Sequence, residues 1–126
     1  MISYFMFGTN NFDRAIPFYE KLMAAMGAQK VYQTDTSAGW GWGIGTPMFI
    51  VCNPYDKKSA TNGNGTMISF EAESKEQVKA LHEMVLSMGG SNEGDPGMRG
   101  EAMYVAYCRD LDNNKMNFIH YLNQGA

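Results

Sequence analysis

Few side chains in this chain of 126 residues can do acid–base, nucleophilic or metal chemistry at neutral pH, and their spacing narrows the choice further. His82 lies in a helical pattern between Leu81 and Glu83, the setting of a surface or boundary residue rather than a catalyst. His120 falls in the last strand pattern, where it reads as a terminal strand residue, with a dimer contact as the alternative. Cys52 and Cys108 have neither C-x-x-C nor Cys/His zinc spacing and no basic neighbour beyond Arg109, so buried, inert, reduced thiols are expected. Gly39-Trp40-Gly41-Trp42-Gly43 is not followed by a helix pattern and is no phosphate cradle; nucleophile-elbow and dinucleotide glycine motifs are lacking. What remains suits binding. Trp40 and Trp42 alternate on one face of a glycine-flanked strand, placed either to stack on a planar ligand or to pack against a partner subunit. Arg99, in a flexible loop from Asn92 to Gly100, is a candidate for an anionic group, against the commoner solvent-exposed charge.

The elements that must position these residues follow from periodicity. A short apolar strand, Ile2 to Gly8, leads into a helix from Phe12 to Met26 whose apolar stripe is Phe12, Ile16, Tyr19, Leu22, Met23 and Met26, with Gly27 as a left-handed stop. Pro17 removes one amide donor near the helix start, where the cost is tolerable. Strand-like segments follow near Gln29 to Gln33, Trp40 to Ile44 and Met48 to Cys52. Asn53 to Gly65 has too few large apolar residues for core and reads as a connecting loop containing the Lys57-Lys58 pair. The order then repeats: strand Met67 to Ala72, helix Lys75 to Met88 opened by the capping box Ser74/Gln77 with the stripe Val78, Leu81, Val85 and Met88, and a hairpin of Ala102 to Arg109 with Lys115 to Tyr121. Two copies predict one domain over residues 1–126: a first module of about 1–53, a linker of about 54–65 and a second module of about 66–122.

Four segments in this order carry a family resemblance: Ile2-Ser3-Tyr4, the helix Asn11 to Gly27 with Pro17-Phe18-Tyr19, Gly65-Thr66-Met67-Ile68-Ser69-Phe70, and Arg109-Asp110-Leu111-Asp112-Asn113-Asn114-Lys115. The chain resembles the vicinal oxygen chelate superfamily of glyoxalases, bleomycin resistance proteins and extradiol dioxygenases over nearly its whole length. The resemblance implies an α+β fold of two βαβββ modules forming a curved mixed sheet around a concave pocket. It also implies a divalent metal on that face, held by one side chain from the first strand and one from the last strand of each module. Carried over, those positions fall on Tyr4, Phe49, Met67 and Asn117, with Ile50 or Met48 replacing Phe49 if the register shifts by one. None offers a carboxylate or imidazole, so no metal and no other cofactor is expected.

Period-two alternation from those positions would line the pocket with Tyr4, Met6, Met67, Ser69 and Asn117, and with Tyr107 if the hairpin has the assumed spacing. That mixture of aromatic, thioether, hydroxyl and amide groups predicts a small, partly aromatic ligand, bound without being transformed. The rival expectation is a lyase, isomerase or dioxygenase of the same superfamily, with displaced metal ligands or a tyrosine as acid–base group. Net charge of -3 and 18% charged residues exclude the basic footprint that nucleic acid or an anionic membrane demands. Met1 to Phe7 has no basic lead and is broken at Gly8, which argues against a signal peptide or membrane span. A cytoplasmic homodimer is expected.

Overall fold

The computed structural model describes residues 1–122 and turns each half of the pattern into strand, helix and three further strands. The chain divides into two compact units, Met1–Asn62 and Gly63 onward, and the boundary falls inside the segment expected to be a linker. The first unit holds β1 (Tyr4–Gly8), α1 (Phe12–Ala25), β2 (Gln29–Gln33), β3 (Ser37–Gly41) and β4 (Met48–Cys52). The second holds β5 (Ile68–Glu71), α2 (Lys75–Ser87), β6 (Ser91–Arg99), β7 (Met103–Arg109) and β8 (Lys115–Tyr121). Each unit carries a four-stranded mixed sheet, of order β1-β4-β3-β2 and β5-β8-β7-β6, in which the first strand runs parallel to the last and the remaining pairs are antiparallel. The architecture is α+β, two βαβββ modules, as expected.

Capping explains where the helices start and stop. Asn11 Oδ1 accepts from the Arg14 amide at 3.1 Å, and Ser74 Oγ from the Gln77 amide at 3.0 Å. The Gln77 side chain reaches back to accept from the Glu73 amide at 2.7 Å, one residue before the cap itself. Gly27 and Gly89 take φ of 81° and 101°, and the amides of Ala28 and Gly90 close each end on the carbonyls of Met23 and Val85 at 2.9 Å.

Each helix buries one stripe against one face of its own sheet. In the first unit Ala15, Phe18, Tyr19, Leu22 and Met23 are buried, a stripe turned slightly from the expected one, which leaves Phe12, Ile16 and Met26 only half-buried. The Tyr19 ring meets Phe49 at 5.0 Å and Trp40 at 6.3 Å, and Phe49 meets Phe7 at 5.6 Å. In the second unit Val78, Leu81, His82 and Val85 face Met116, Phe118, Ala106 and Cys108, all four of them 0% exposed. His82 therefore belongs to the core and not to the surface; its Nε2 lies 3.0 Å from Asn92 Oδ1 and 3.2 Å from the Tyr107 carbonyl, so the buried ring is satisfied by donating there.

Two segments depart from the sequence reading. The expected loop Asn92 to Gly100 is mostly strand: β6 pairs with β7 through register shifts on either side of Gly94, and these bulges absorb Asp95-Pro96-Gly97 on an edge where a proline costs no ladder bond. The strand expected at Trp40 to Ile44 lies earlier, at β3, because its pairing with β4 runs from Ser37↔Cys52 to Gly41↔Met48.

Candidate functional site

In each unit the face turned away from the helix is the one that could meet a ligand, and register decides what lies on it. In the first unit Met6, Ile50 and Gly39 are in register across β1, β4 and β3, and Tyr4 pairs with Met48. A bulge in β2 brings Tyr32 opposite Gly39, where a Cβ would lie 2.5 Å from the Tyr32 ring. Tyr32 thus lies flat over the strand only because residue 39 has no side chain. Tyr4 and Met6 are about half exposed on this face, at 52% and 47%.

Phe49 and Trp40 are not on it. Both project under α1 into the aromatic core, 1% and 2% exposed, so the position on the helix-free face of β4 is Ile50. Trp42 lies beyond the end of β3 and does not share a face with Trp40; its indole Nε1 donates to the Met26 carbonyl at 2.9 Å and so closes the end of α1. Alternation along β3 and β4 thus turns Trp40 and Phe49 to the helix side, and it stops before Trp42.

At one end of the same face lies a cleft of about 830 Å³, bounded by Met6, Ser37 and Cys52 from the strands and by Asn10, Thr36, Asn53, Pro54, Tyr55, Lys57, Lys58 and Ser59. The loop wall is tied down. Asn10 Nδ2 donates to the Ala60 carbonyl at 3.1 Å while its Oδ1 accepts from the Ala60 amide at 2.6 Å. The Asn53 amide donates to the Thr36 carbonyl at 2.8 Å, and the Lys57 amide to that of Pro54 at 3.0 Å. Ser37 Oγ and Tyr32 Oη share a hydrogen bond of 2.5 Å at the opposite wall. Among the described residues that line the cleft there is no imidazole and no carboxylate; its ionisable groups are the Tyr55 phenol, the Cys52 thiol and the two lysines. Apolar and sulfur groups, hydroxyls, amides and two lysines equip it to hold a small molecule. Of this lining only Met6 was foreseen; Asn53-Pro-Tyr-Asp-Lys-Lys read as a connecting turn, and the sole signal in it was two cations among turn formers.

In the second unit Ser69, Asn117 and Tyr107 are in register across β5, β8 and β7 and share the helix-free face, while Tyr104, one strand position away from that parity, takes Lys75 and Lys79 of α2 over its ring. Met67 immediately precedes β5 and is 37% exposed. Arg99 and Lys115 each sit over the Tyr107 ring, 5.6 Å from its centroid. Arg99 donates only to the carbonyls of Asp95 and Met98, whereas Arg109 pairs with Glu93 at 2.5 Å. That hydrogen bond, then the Arg109 charge itself, hold the Glu93 carboxyl below its ordinary range. Asn117 is 4% exposed, and its Oδ1 is buried without a hydrogen-bond partner.

The positions that correspond to the superfamily's metal ligands are therefore Tyr4, Ile50, Met67 and Asn117. A phenol, an alkyl chain, a thioether and a neutral amide oxygen do not fit a divalent cation, which needs charged or imidazole donors to replace its water. Among the described residues no group of three or more His, Cys, Asp or Glu side chains gathers into a metal-binding cluster. The thiols are equally quiet: burial pushes Cys52 up, and burial followed by the charge of Asp110 pushes Cys108 up to about 12. Asp110 itself shapes the β7–β8 turn, its Oδ1 accepting from the amides of Asp112 and Asn114 at 2.9 Å. The strongest sequence motif of the second half is thus structural.

Comparison with known proteins agrees with this architecture. The family model of the Glyoxalase/Bleomycin resistance protein/Dioxygenase superfamily matches residues 1–118. A glyoxalase/bleomycin resistance protein from Albidiferax ferrireducens T118 is 31% identical, with a TM-score of 0.86 over 95% of this chain and 98% of that one. A glyoxalase/bleomycin resistance protein/dioxygenase family enzyme from Burkholderia phytofirmans PsJN shares the fold at 19% identity and a TM-score of 0.75, over 95% and 98% of the two chains. Lactoylglutathione lyase from Agrobacterium tumefaciens does so at 17% identity and 0.68, over 95% and 92%. No curated protein sequence matches significantly. With the family pattern running through both βαβββ modules, this chain belongs to the glyoxalase/bleomycin resistance protein/dioxygenase superfamily.

Proposed function

We propose that this chain is a binding member of its superfamily: a metal-independent protein that holds a small, partly aromatic molecule without transforming it. The cleft carries this reading, because it combines Met6, Cys52 and Pro54 with hydroxyl, amide and ammonium groups, and neither an imidazole nor a carboxylate is among its described lining residues. The replacement of the family's ligand positions by Tyr4, Ile50, Met67 and Asn117 supports the metal-independent part. Tyr107, Ser69 and Arg99, with Asn117 buried between the strands of the first two, form a second polar and aromatic surface, in the other module, for the same kind of ligand. We read the two modules as one domain that works as a homodimer in the cytoplasm. Half-exposed Tyr4 and Met6 favour a covering partner, and two free cysteines suit a reducing compartment. Among the described residues no helix is long and apolar enough to cross a membrane.

The test is a thermal-shift screen of planar aromatic compounds, followed by calorimetry. A true ligand at a hundred times its Kd should stabilise the fold by about 2.7 kcal/mol through mass action. Elemental analysis of protein purified without chelator should give far less than one divalent metal per chain. Stoichiometric metal that survives dialysis and is lost in Asn117→Ala would turn the reading toward an enzyme.

A further inference from the structure

Lys57 and Lys58 differ from other cations of the chain in what surrounds them. Lys30 pairs with Glu20 and Arg109 with Glu93, while Lys75 and Lys79 lie over Tyr104, and Arg99 and Lys115 over Tyr107. Asp56 Oδ1 accepts from the Lys58 backbone amide at 3.0 Å, but among the described residues no carboxylate forms an ion pair with the ammonium of Lys57 or Lys58, and both line the cleft together with Met6 and Cys52. The chain also bears a net charge of -3, so two adjacent unpaired cations at a concave site run against the overall balance. The backbone adds a second observation. Lys57 has φ of 64°, a left-handed conformation that glycine or asparagine adopts more easily than an L-residue with a long side chain. Asn10 and the Pro54 carbonyl hold the loop in this shape. A mere connector has no need of a lysine there, whereas an ammonium fixed at the rim of a cleft does need a rigid support.

We infer that the cleft of the first module selects an anionic ligand, a carboxylate, sulfonate or phosphate carried on a small apolar or aromatic body. The body lies on Met6 and Cys52, Ser37 offers a hydroxyl, and Lys57 and Lys58 take the anion by charge-assisted hydrogen bonds. This rests on the small-molecule reading of the same cleft and adds the charge that reading left open.

Two fluorescent probes of nearly the same shape separate the two ideas: anilinonaphthalene sulfonate and the uncharged N-phenylnaphthylamine. The folded wild-type protein should bind the sulfonate about ten-fold more tightly, and added salt should weaken the sulfonate alone. Lys57→Asn combined with Lys58→Gln should remove that ten-fold preference and leave the neutral probe unchanged. Asparagine tolerates the left-handed backbone, so the fold should survive. Lys21→Gln, on the exposed side of α1, should change neither probe. Amide shifts on titrating the sulfonate should centre on Ser37, Cys52 and Lys58. Equal affinity for both probes, equal loss of both in the double variant, or shifts confined to the surroundings of Tyr107 would each overturn the anion selectivity while leaving small-molecule binding intact. Binding of neither probe would remove both.

Discussion

The two modules are built from one plan and closed in one way beneath their helices, yet their opposite faces have diverged. In the first, Met6, Ile50 and the ring of Tyr32 over Gly39 make an apolar surface that leads into a cleft rimmed by lysines. In the second, the same three register positions carry Ser69, Asn117 and Tyr107, and the aromatic ring is flanked by Arg99 and Lys115. The helix side is fixed by packing, where every buried methylene contributes to stability and few substitutions are neutral. The far side is buried at its centre, at Ile50 and Asn117, 5% and 4% exposed, but no helix of its own module covers it, and there the two modules carry different chemistry. The two modules thus differ at the register positions of β1, β3 and β4 against those of β5, β7 and β8, while their helices pack alike.

The sharpest way to break that comparison is at Phe49 and Phe118, which both lie on the helix side of their strands, β4 and β8, 1% and 0% exposed, and pair with Phe5 and Phe70. If both are core, Phe49→Ala and Phe118→Ala should each cost about 3–5 kcal/mol, measured by urea unfolding. Were Phe49 a ligand contact, as the sequence alone suggests, its variant would keep its stability and lose binding. A loss confined to Phe118→Ala would mean that the two helix-side faces are not alike.

That contrast also shows how far the sequence could be read. The helices were legible because caps, stripes and the stops Gly27 and Gly89 are local features, encoded within a few residues of one another. The duplication and the order of strands followed from them. Parity within a strand was not so secure: β4 is a run of five residues, Met-Phe-Ile-Val-Cys, without a polar alternation to show which side is which, so Phe49 was assigned to the face that Ile50 occupies. The place of Trp42 is set by its bond to the Met26 carbonyl, 16 residues away in sequence, which no pattern within the strand encodes. His82 looked peripheral because its partners, Asn92 and the Tyr107 carbonyl, belong to strands that follow the helix. The cleft was hidden for a similar reason: Asn10 and Ala60 make the loop into a wall, and no local pattern links positions 50 residues apart.

A reciprocal exchange at the two equivalent positions sharpens the comparison with a smaller effect. Ile50→Asn places an amide where Met6 and the Tyr32 ring offer it little, and should destabilise by about 2–4 kcal/mol. Asn117→Ile removes an oxygen that is buried without a hydrogen-bond partner, and should stabilise by about 1 kcal/mol, seen as a higher Tm. If the second substitution instead lowers Tm, Asn117 Oδ1 has a partner in solution and the second face is a satisfied network.

The least effect at neutral pH, and the last contrast between the modules, concerns their thiols. Cys108 is wholly buried and pushed up to about 12 by burial and then by Asp110, while Cys52 is half-buried beside the cleft. In the folded chain Cys108 therefore keeps its proton after the unfolded chain has lost it. Below the ordinary thiol value of 9.0 both states are protonated there and stability does not change. Between that value and about 12 the unfolded state alone ionises, so stability should fall with rising pH, by no more than ~1.4 kcal/mol per unit, and Cys108→Ala should remove that part of the slope. Iodoacetamide at about pH 8 should modify Cys52 first and reach Cys108 only through unfolding, so urea should accelerate the second reaction far more than the first. Equal rates on the native protein would show that the second core opens as readily as the rim of the first module's cleft, and the division between a closed helix side and a variable far side would no longer hold.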